Sequence, residues 1–179
     1  MNSIFLKDYY RMTGGVWTGS MKDRLNVLLH HNIRFVYLFR KYQQGKSPII
    51  RLMLYRMTRK YGLEISVGAR IGEGVYLGHP YQITVAEGTQ IGNNVNLHKG
   101  CTIGRENRGK RAGVPTIGDR VYVGIGSVIV GNITIGDDVL IAPNSYINFD
   151  VPSHSIVIGN PAVIHHRDEA TESYVNFLV

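Results

Sequence analysis

This chain of 179 residues lacks several features that would assign its class at once. A single cysteine, Cys101, excludes an intrachain disulfide and is consistent with a reducing compartment. No apolar run is long enough to span a bilayer, and the first thirty residues lack the apolar centre of a secretory leader. The expected address is therefore the cytoplasm, with the inner face of the membrane as a variant. Acids are scarce at the front: residues 1–62 carry twelve Lys and Arg against two acids, +10, whereas residues 63–179 carry eight against eleven, −3. A basic segment can attract nucleic acid or anionic lipid. Its aromatics sit among aliphatics and are not interleaved with the arginines, so the stacking platform of a nucleic-acid binder is missing and none is expected as a partner.

What is present is a fixed beat. An aliphatic residue returns at Ile65, Ile71, Leu77, Val85, Ile91, Leu97, Ile103, Ile117, Val123, Ile129, Ile135, Ile141 and Ile147, and ten of the twelve intervals are six residues. Seven of the thirteen are followed directly by glycine, and the fourth residue after each is mostly small or β-branched, as at Ala69, Val75, Cys101 and Ser127. Six is a multiple of the strand period and fits no 3.6-residue helix. Such a repeat marks a solenoid, and hexapeptides mark a parallel β-helix. The pattern closely resembles the left-handed β-helix of the hexapeptide-repeat acyltransferases, in which three six-residue faces make one triangular coil. The hand comes from the resemblance, because the general crossover rule favours the right.

On that template the beat can be indexed. Ile65, Val85, Ile103, Ile129 and Ile147 stack on face A; Ile71, Ile91, Ile117 and Ile135 on face B; Leu77, Leu97, Val123 and Ile141 on face C. A two-residue insertion falls at the C-to-A corner before Val85. A long one falls at the A-to-B corner, where the polar run 105–113 predicts a projecting loop over 104–116. Ile147 is the last clear beat. The expected organisation is a basic helical segment over 1–62, the β-helix over 63–162 and a tail over 163–179. Within the first segment, residues 1–19 show no period. One helix is expected from a Ser20 cap to Gly45, with Leu25, Leu28, Leu29, Ile33 and Val36 inward. A second is expected from Ser47-Pro48 to Gly62, with Ile49, Leu52 and Met53 inward. This hairpin is read as a cap on the open end of the solenoid, with peripheral membrane contact as the sharper reading.

Seven histidines are available for chemistry. His30, His31, His154, His165 and His166 lie outside the repeat and read as structural or solvent-facing. The index places His79 at the C-to-A corner, Glu64 at the start of face A one coil earlier, and His98 on face C one coil later, near the same edge. A carboxylate beside an imidazole fixes its tautomer and supports its charged form during proton abstraction. Pro80 restricts the backbone of His79. Cys101 occupies a small inward position and reads as a core thiol. His79 and His98 lack a third ligand, so no metal is expected.

Leu77-Gly78-His79, Val114-Pro115-Thr116-Ile117 and Gly159-Asn160-Pro161-Ala162 resemble the serine acetyltransferase branch over residues 63–164. That resemblance implies His79 as the catalytic histidine and Glu64 as its acidic partner; the index adds His98 as an auxiliary. It further implies acetyl-CoA as co-substrate in a trough between subunits of a homotrimer, lined by Gly124, Ile125, Ala142, Pro143, Gly159 and Pro161. The chain departs from the branch at Val114, where a second histidine is usual, and at Gly78, where an aspartate is usual. The remaining pattern looks more like the acetyltransferases of surface-polysaccharide assembly. It implies a carbohydrate acceptor, with Arg105, Arg108, Lys110 and Arg111 meeting the acceptor or the CoA phosphates. L-serine as acceptor and a non-catalytic scaffold are the alternatives.

Overall fold

A computed structural model describes residues 2–179. Four helices, α1 (Ser3–Thr13), α2 (Met21–Leu29), α3 (His31–Gly45) and α4 (Pro48–Tyr61), precede a solenoid of three parallel sheets. On face A, β1 (Leu63–Ile65), β4 (Ile83–Val85), β7 (Thr102–Gly104), β10 (Val128–Val130) and β13 (Tyr146–Ile147) are hydrogen-bonded in that order. Face B carries β2 (Arg70–Ile71), β5 (Gln90–Ile91), β8 (Thr116–Ile117) and β11 (Thr134–Ile135). Face C carries β3 (Tyr76–Gly78), β6 (Asn96–His98), β9 (Tyr122–Val123), β12 (Val139–Ile141) and β14 (Ser155–Ile158), closed by the antiparallel β15 (Val163–His166).

The register reproduces the indexed stacks, for example Ile65 on Val85, Ile71 on Ile91 and Leu77 on Leu97. These aliphatics and the small fourth residues, including Cys101, fill a buried ladder. Burial pushes the Cys101 thiol up to about 12, which removes it from nucleophilic chemistry. The glycine after the beat has a steric origin. A Cβ on Gly92 would lie 2.3 Å from the Asp119 carboxylate and 2.6 Å from the Gly118 carbonyl of the next coil. That carboxylate instead accepts the Asn93 N–H at 2.7 Å, and Asp137 repeats the bond to the Asp119 N–H one coil on, at 2.7 Å.

The repeat runs past Ile147. Val151 bridges to Ile135, and β14 pairs in parallel with β12, so Val157 stacks on Ile141. The sequence pattern misses this because the interval from Ile147 to Val151 is four, not six.

The helical segment departs further from expectation. Residues 3–13 form a helix, capped by the Asn2 side chain on the Ile4 N–H at 2.9 Å and ended by a left-handed Gly14. The stretch expected as one helix from Ser20 is two, broken at an extended His30. The Ser20 cap holds, as a full capping box with Asp23. Leu25, Leu28 and Leu29 are exposed, whereas Ile33 and Val36 are buried as expected. In α4 the expected inward residues Ile49, Leu52 and Met53 face out, and Leu54 and Met57 are buried in their place.

The helices do cover the open end of the first coil, through side chains that satisfy its unpaired carbonyls. Arg40 donates at 2.6 Å to Ile71 O and at 2.5 Å to Gly72 O. Gln43 donates to Ala69 O at 3.2 Å, and Thr58 to Leu63 O at 2.8 Å. An uncovered sheet edge would be a template for pairing with another chain.

Candidate active site

The C-to-A edge gathers most of the predicted residues. Backbone hydrogen bonds step along it from coil to coil: Lys99 N–H to Gly78 O at 3.0 Å, Gly126 N–H to Lys99 O at 3.0 Å, Asn144 N–H to Ile125 O at 2.9 Å and Tyr146 N–H to Gly159 O at 3.1 Å. Gly124, Ile125, Ala142, Pro143 and Gly159 therefore follow His79 down one edge, with Pro161 two residues beyond Gly159. A Cβ on Gly124 would meet Ile141 O at 2.6 Å and Pro143 N at 2.7 Å, so this stretch of edge is packed backbone on backbone. Among the described residues the Ile125 N–H has no backbone acceptor, and its side chain is 43% exposed.

His79 is exposed and has φ +47. The extended backbone that Pro80 favours for this residue is not what it adopts: the chain turns at the two-residue insertion, and the histidine takes the left-handed conformation. Such a backbone costs on the order of 1–3 kcal/mol in a non-glycine residue and persists only where its surroundings over-determine it. The Tyr81 N–H on His79 O at 2.7 Å and the Gln82 N–H on Tyr61 O at 3.0 Å hold the turn.

Glu64 lies on the exposed side of β1, in register with Thr84. No hydrogen bond or ion pair joins it to His79 among the described residues, so the expected dyad is not assembled within one chain in this structure. His98 is nearer, with its ring centroid 6.5 Å from that of His79. It lies between Tyr122, at 4.5 Å, and Tyr76, at 6.1 Å. Its Nε2 is buried without a protein partner. Burial, then the neighbouring His79, pulls its imidazole down to about 4, so it is neutral at neutral pH.

The departure at Gly78 has a steric setting at this corner. A Cβ on Gly78 would lie 2.4 Å from both Cε1 and Nδ1 of His98. His98 occupies the space an aspartate side chain would need at position 78. The sequence index placed both residues on face C, but not this contact.

The loop at 104–116 projects, tied at its neck by the Glu106–Gly113 bridge. Arg105 reaches Glu87 O at 3.4 Å, Arg111 binds Asn148 O, and Arg108 and Lys110 are exposed. His154 binds Asp138 at 2.9 Å, His31 stacks on Tyr61 at 4.3 Å, and His165 and His166 lie exposed on β15. Sequence reasoning missed Arg11 and Tyr174, which stand over face C beside His98. Arg11 lies on a helix that the pattern did not reveal.

Comparison with known proteins agrees with this architecture. The bacterial transferase hexapeptide (six repeats) pattern matches residues 115–148. A serine acetyltransferase of Helicobacter pylori is 39% identical over 107 residues, covering 60% of this chain and 63% of that protein. One of Staphylococcus xylosus is 38% identical over 130 residues, covering 71% and 59%. Serine acetyltransferase 2 of Arabidopsis thaliana is 37% identical over 123 residues, covering 68% and 38%. The chain thus spans less than two thirds of the length of these relatives. Among solved structures, the soybean serine acetyltransferase apoenzyme superposes with a TM-score of 0.72 at 27% identity, covering 90% of this chain and 66% of that one. The Neisseria gonorrhoeae serine acetyltransferase in complex with serine gives 0.71 at 29%, covering 90% and 66%.

These relatives overturn the expectation of a carbohydrate acceptor in polysaccharide assembly. That expectation rested on departures from the serine acetyltransferase pattern, Gly78 and Val114 among them; at Gly78 the ring of His98 fills the space a side chain would need. The solenoid matches the left-handed β-helix, and in repeat, sequence and architecture the chain is serine acetyltransferase-like, similar to the hexapeptide-repeat transferases.

Proposed function

We propose that the chain transfers an acetyl group from acetyl-CoA to the hydroxyl of L-serine or a close small hydroxy amino acid. The observation that carries this reading is the exposed, left-handed His79 at the head of an edge of closely packed backbone. His79 Nε2 or Nδ1 takes the acceptor hydroxyl proton as that oxygen attacks the thioester carbonyl. The new C–O bond forms and the C–S bond breaks. The thiolate is a good leaving group because a thiol pKa is only about 8.5, and it receives the proton from the imidazolium. The Ile125 N–H is suited to receive the oxyanion or an amide carbonyl of the cofactor.

In this reading Gly124, Ile125, Ala142, Pro143, Gly159 and Pro161 line the acetyl-CoA trough, and the loop cations Arg108 and Lys110 face the CoA phosphates. A homotrimer completes the trough, with Glu64 oriented toward an imidazole only in the assembled form. Steady-state transfer to L-serine, monitored by CoA release and by mass of the product, tests the reading. His79→Ala is expected to lower kcat by about 10²–10⁴ while CoA binding persists. Absence of L-serine acetylation, or His79→Ala at wild-type turnover, overturns it.

A further inference from the structure

Two arginines of the helical segment are equally deep, each 2% exposed, and they are satisfied very differently. Arg40 makes a bidentate pair with Asp8, at 2.8 and 3.2 Å, and donates to Ile71 O, Gly72 O and Gln43. Arg11 has no carboxylate in ion-pair contact: the acid that acts on it, Asp8, is already paired with Arg40. Its Nε donates to Gly74 O at 3.0 Å and its Nη2 to Asn96 Oδ1 at 2.5 Å. A guanidinium offers five donors in a planar fork, and no protein acceptor meets Arg11 Nη1 among the described residues. Burial lowers its pKa only to about 10, so it is cationic at neutral pH.

Arg11 lines a cavity of about 280 Å³ between α1, face C and the C-terminal tail. The other walls that bear on its chemistry are Asn96, His98, Tyr76, Tyr122 and Tyr174. The Nε2 of His98 is buried without a partner. None of the three tyrosine hydroxyls is bonded to a protein group among the described residues. The cavity is built rather than incidental. Asn96 Nδ2 donates to Tyr174 O at 2.9 Å, and Asn94 makes a paired bond to the Val179 backbone, 3.0 Å each way, so side chains of face C fasten the tail that forms its lid.

From this geometry we propose that the cavity is a binding site for a small carboxylate with an apolar or aromatic body, its carboxylate on Arg11 and its body against Tyr76, Tyr122 and Tyr174. A buried cation without a contacting counter-charge is costly, and a carboxylate matches the guanidinium fork in bidentate geometry. One guanidinium among neutral donors balances a monoanion better than a phosphate carrying close to two charges. The volume, just below the range of about 300–1,000 Å³ typical of drug-sized ligands, excludes CoA. The site shares a wall with the proposed transfer site through His98, but nothing in it requires acetyl transfer.

Titration calorimetry of the full chain tests the proposal, with acetate, lactate, L-serine, benzoate, 4-hydroxyphenylacetate and inorganic phosphate as probes. At least one carboxylate is expected to bind with a dissociation constant at or below about 1 mM and to raise the thermal midpoint. Arg11→Gln should abolish that binding and Tyr122→Phe should weaken it. Because Arg11 is buried and its replacement can unfold the chain, Tyr174→Ala, at a half-exposed position, is the second variant and should also weaken binding. His79→Ala should leave binding intact, which separates this site from the transfer reading. Three results overturn the proposal: no binding by any carboxylate, phosphate bound in preference, or affinity unchanged in Tyr122→Phe and Tyr174→Ala.

Discussion

The ring of His98 fills the space that a Cβ on Gly78 would need, with contacts at 2.4 Å. Gly78→Ala is therefore expected to destabilise the fold by about 1–3 kcal/mol, the usual cost of overpacking, read from the urea midpoint. In Gly78→Ala/His98→Ala most of that loss should return, because the double variant removes the clash; a strictly additive cycle contradicts the contact. His98 also predicts a pH dependence. Its folded pKa, about 4, lies below the ordinary 6.5, so between these values the unfolded chain binds more protons. Stability then rises with pH through that window and is lost as pH falls from 6.5 toward 4. His98→Gln should flatten this acid limb in urea titrations at pH 4.5, 5.5 and 7. His79 and His98 were both legible from the hexad index. What the index could not supply was side-chain volume across coils, so the packing of the His98 ring against Gly78 was not legible in it.

At the scale of elements, α1 is held to the solenoid by polar groups. Asp8 accepts the Val75 N–H at 3.0 Å and pairs with Arg40, which in turn caps the carbonyls of the first coil. Asp8→Asn leaves a buried guanidinium without its counter-charge, and a loss of about 3–5 kcal/mol is expected from chemical denaturation. A loss below about 1 kcal/mol would put this ion pair among the surface kind. The same polar docking explains why α1 was illegible. A helical period is sought in apolar residues, and the buried face of α1 carries Asp8 and Arg11 beside Phe5 and Tyr9. In α4 the difficulty is different. Ile49, Leu52 and Met53 fit helical spacing as well as Ile50, Leu54 and Met57, and only the positions of α3 and β1 select the second set.

At the scale of the whole molecule, the proposed transfer site calls for a trough completed between subunits. Light scattering is expected to give a trimer mass, and activity should fall on dilution below the trimer's dissociation. A monomer that retains full turnover contradicts the assembled site. The sequence by itself determined the solenoid, its face assignments and the corner that carries His79. A six-residue beat fixes which side chains point inward, and one coil's register constrains the next. It did not determine the last coil, where an interval of four replaces six, or the hand, which came from resemblance. Only the tertiary structure decided which helix faces are buried, that the His98 ring fills the space beside Gly78, and that Arg11, Tyr122 and Tyr174 meet over face C. Those outcomes depend on contacts between residues more than eighty apart in the chain, such as Arg11 with Asn96 and Asn94 with Val179. No local period encodes such contacts, because the spacing that brings them together is set by the rise of the coils and not by the chain between them.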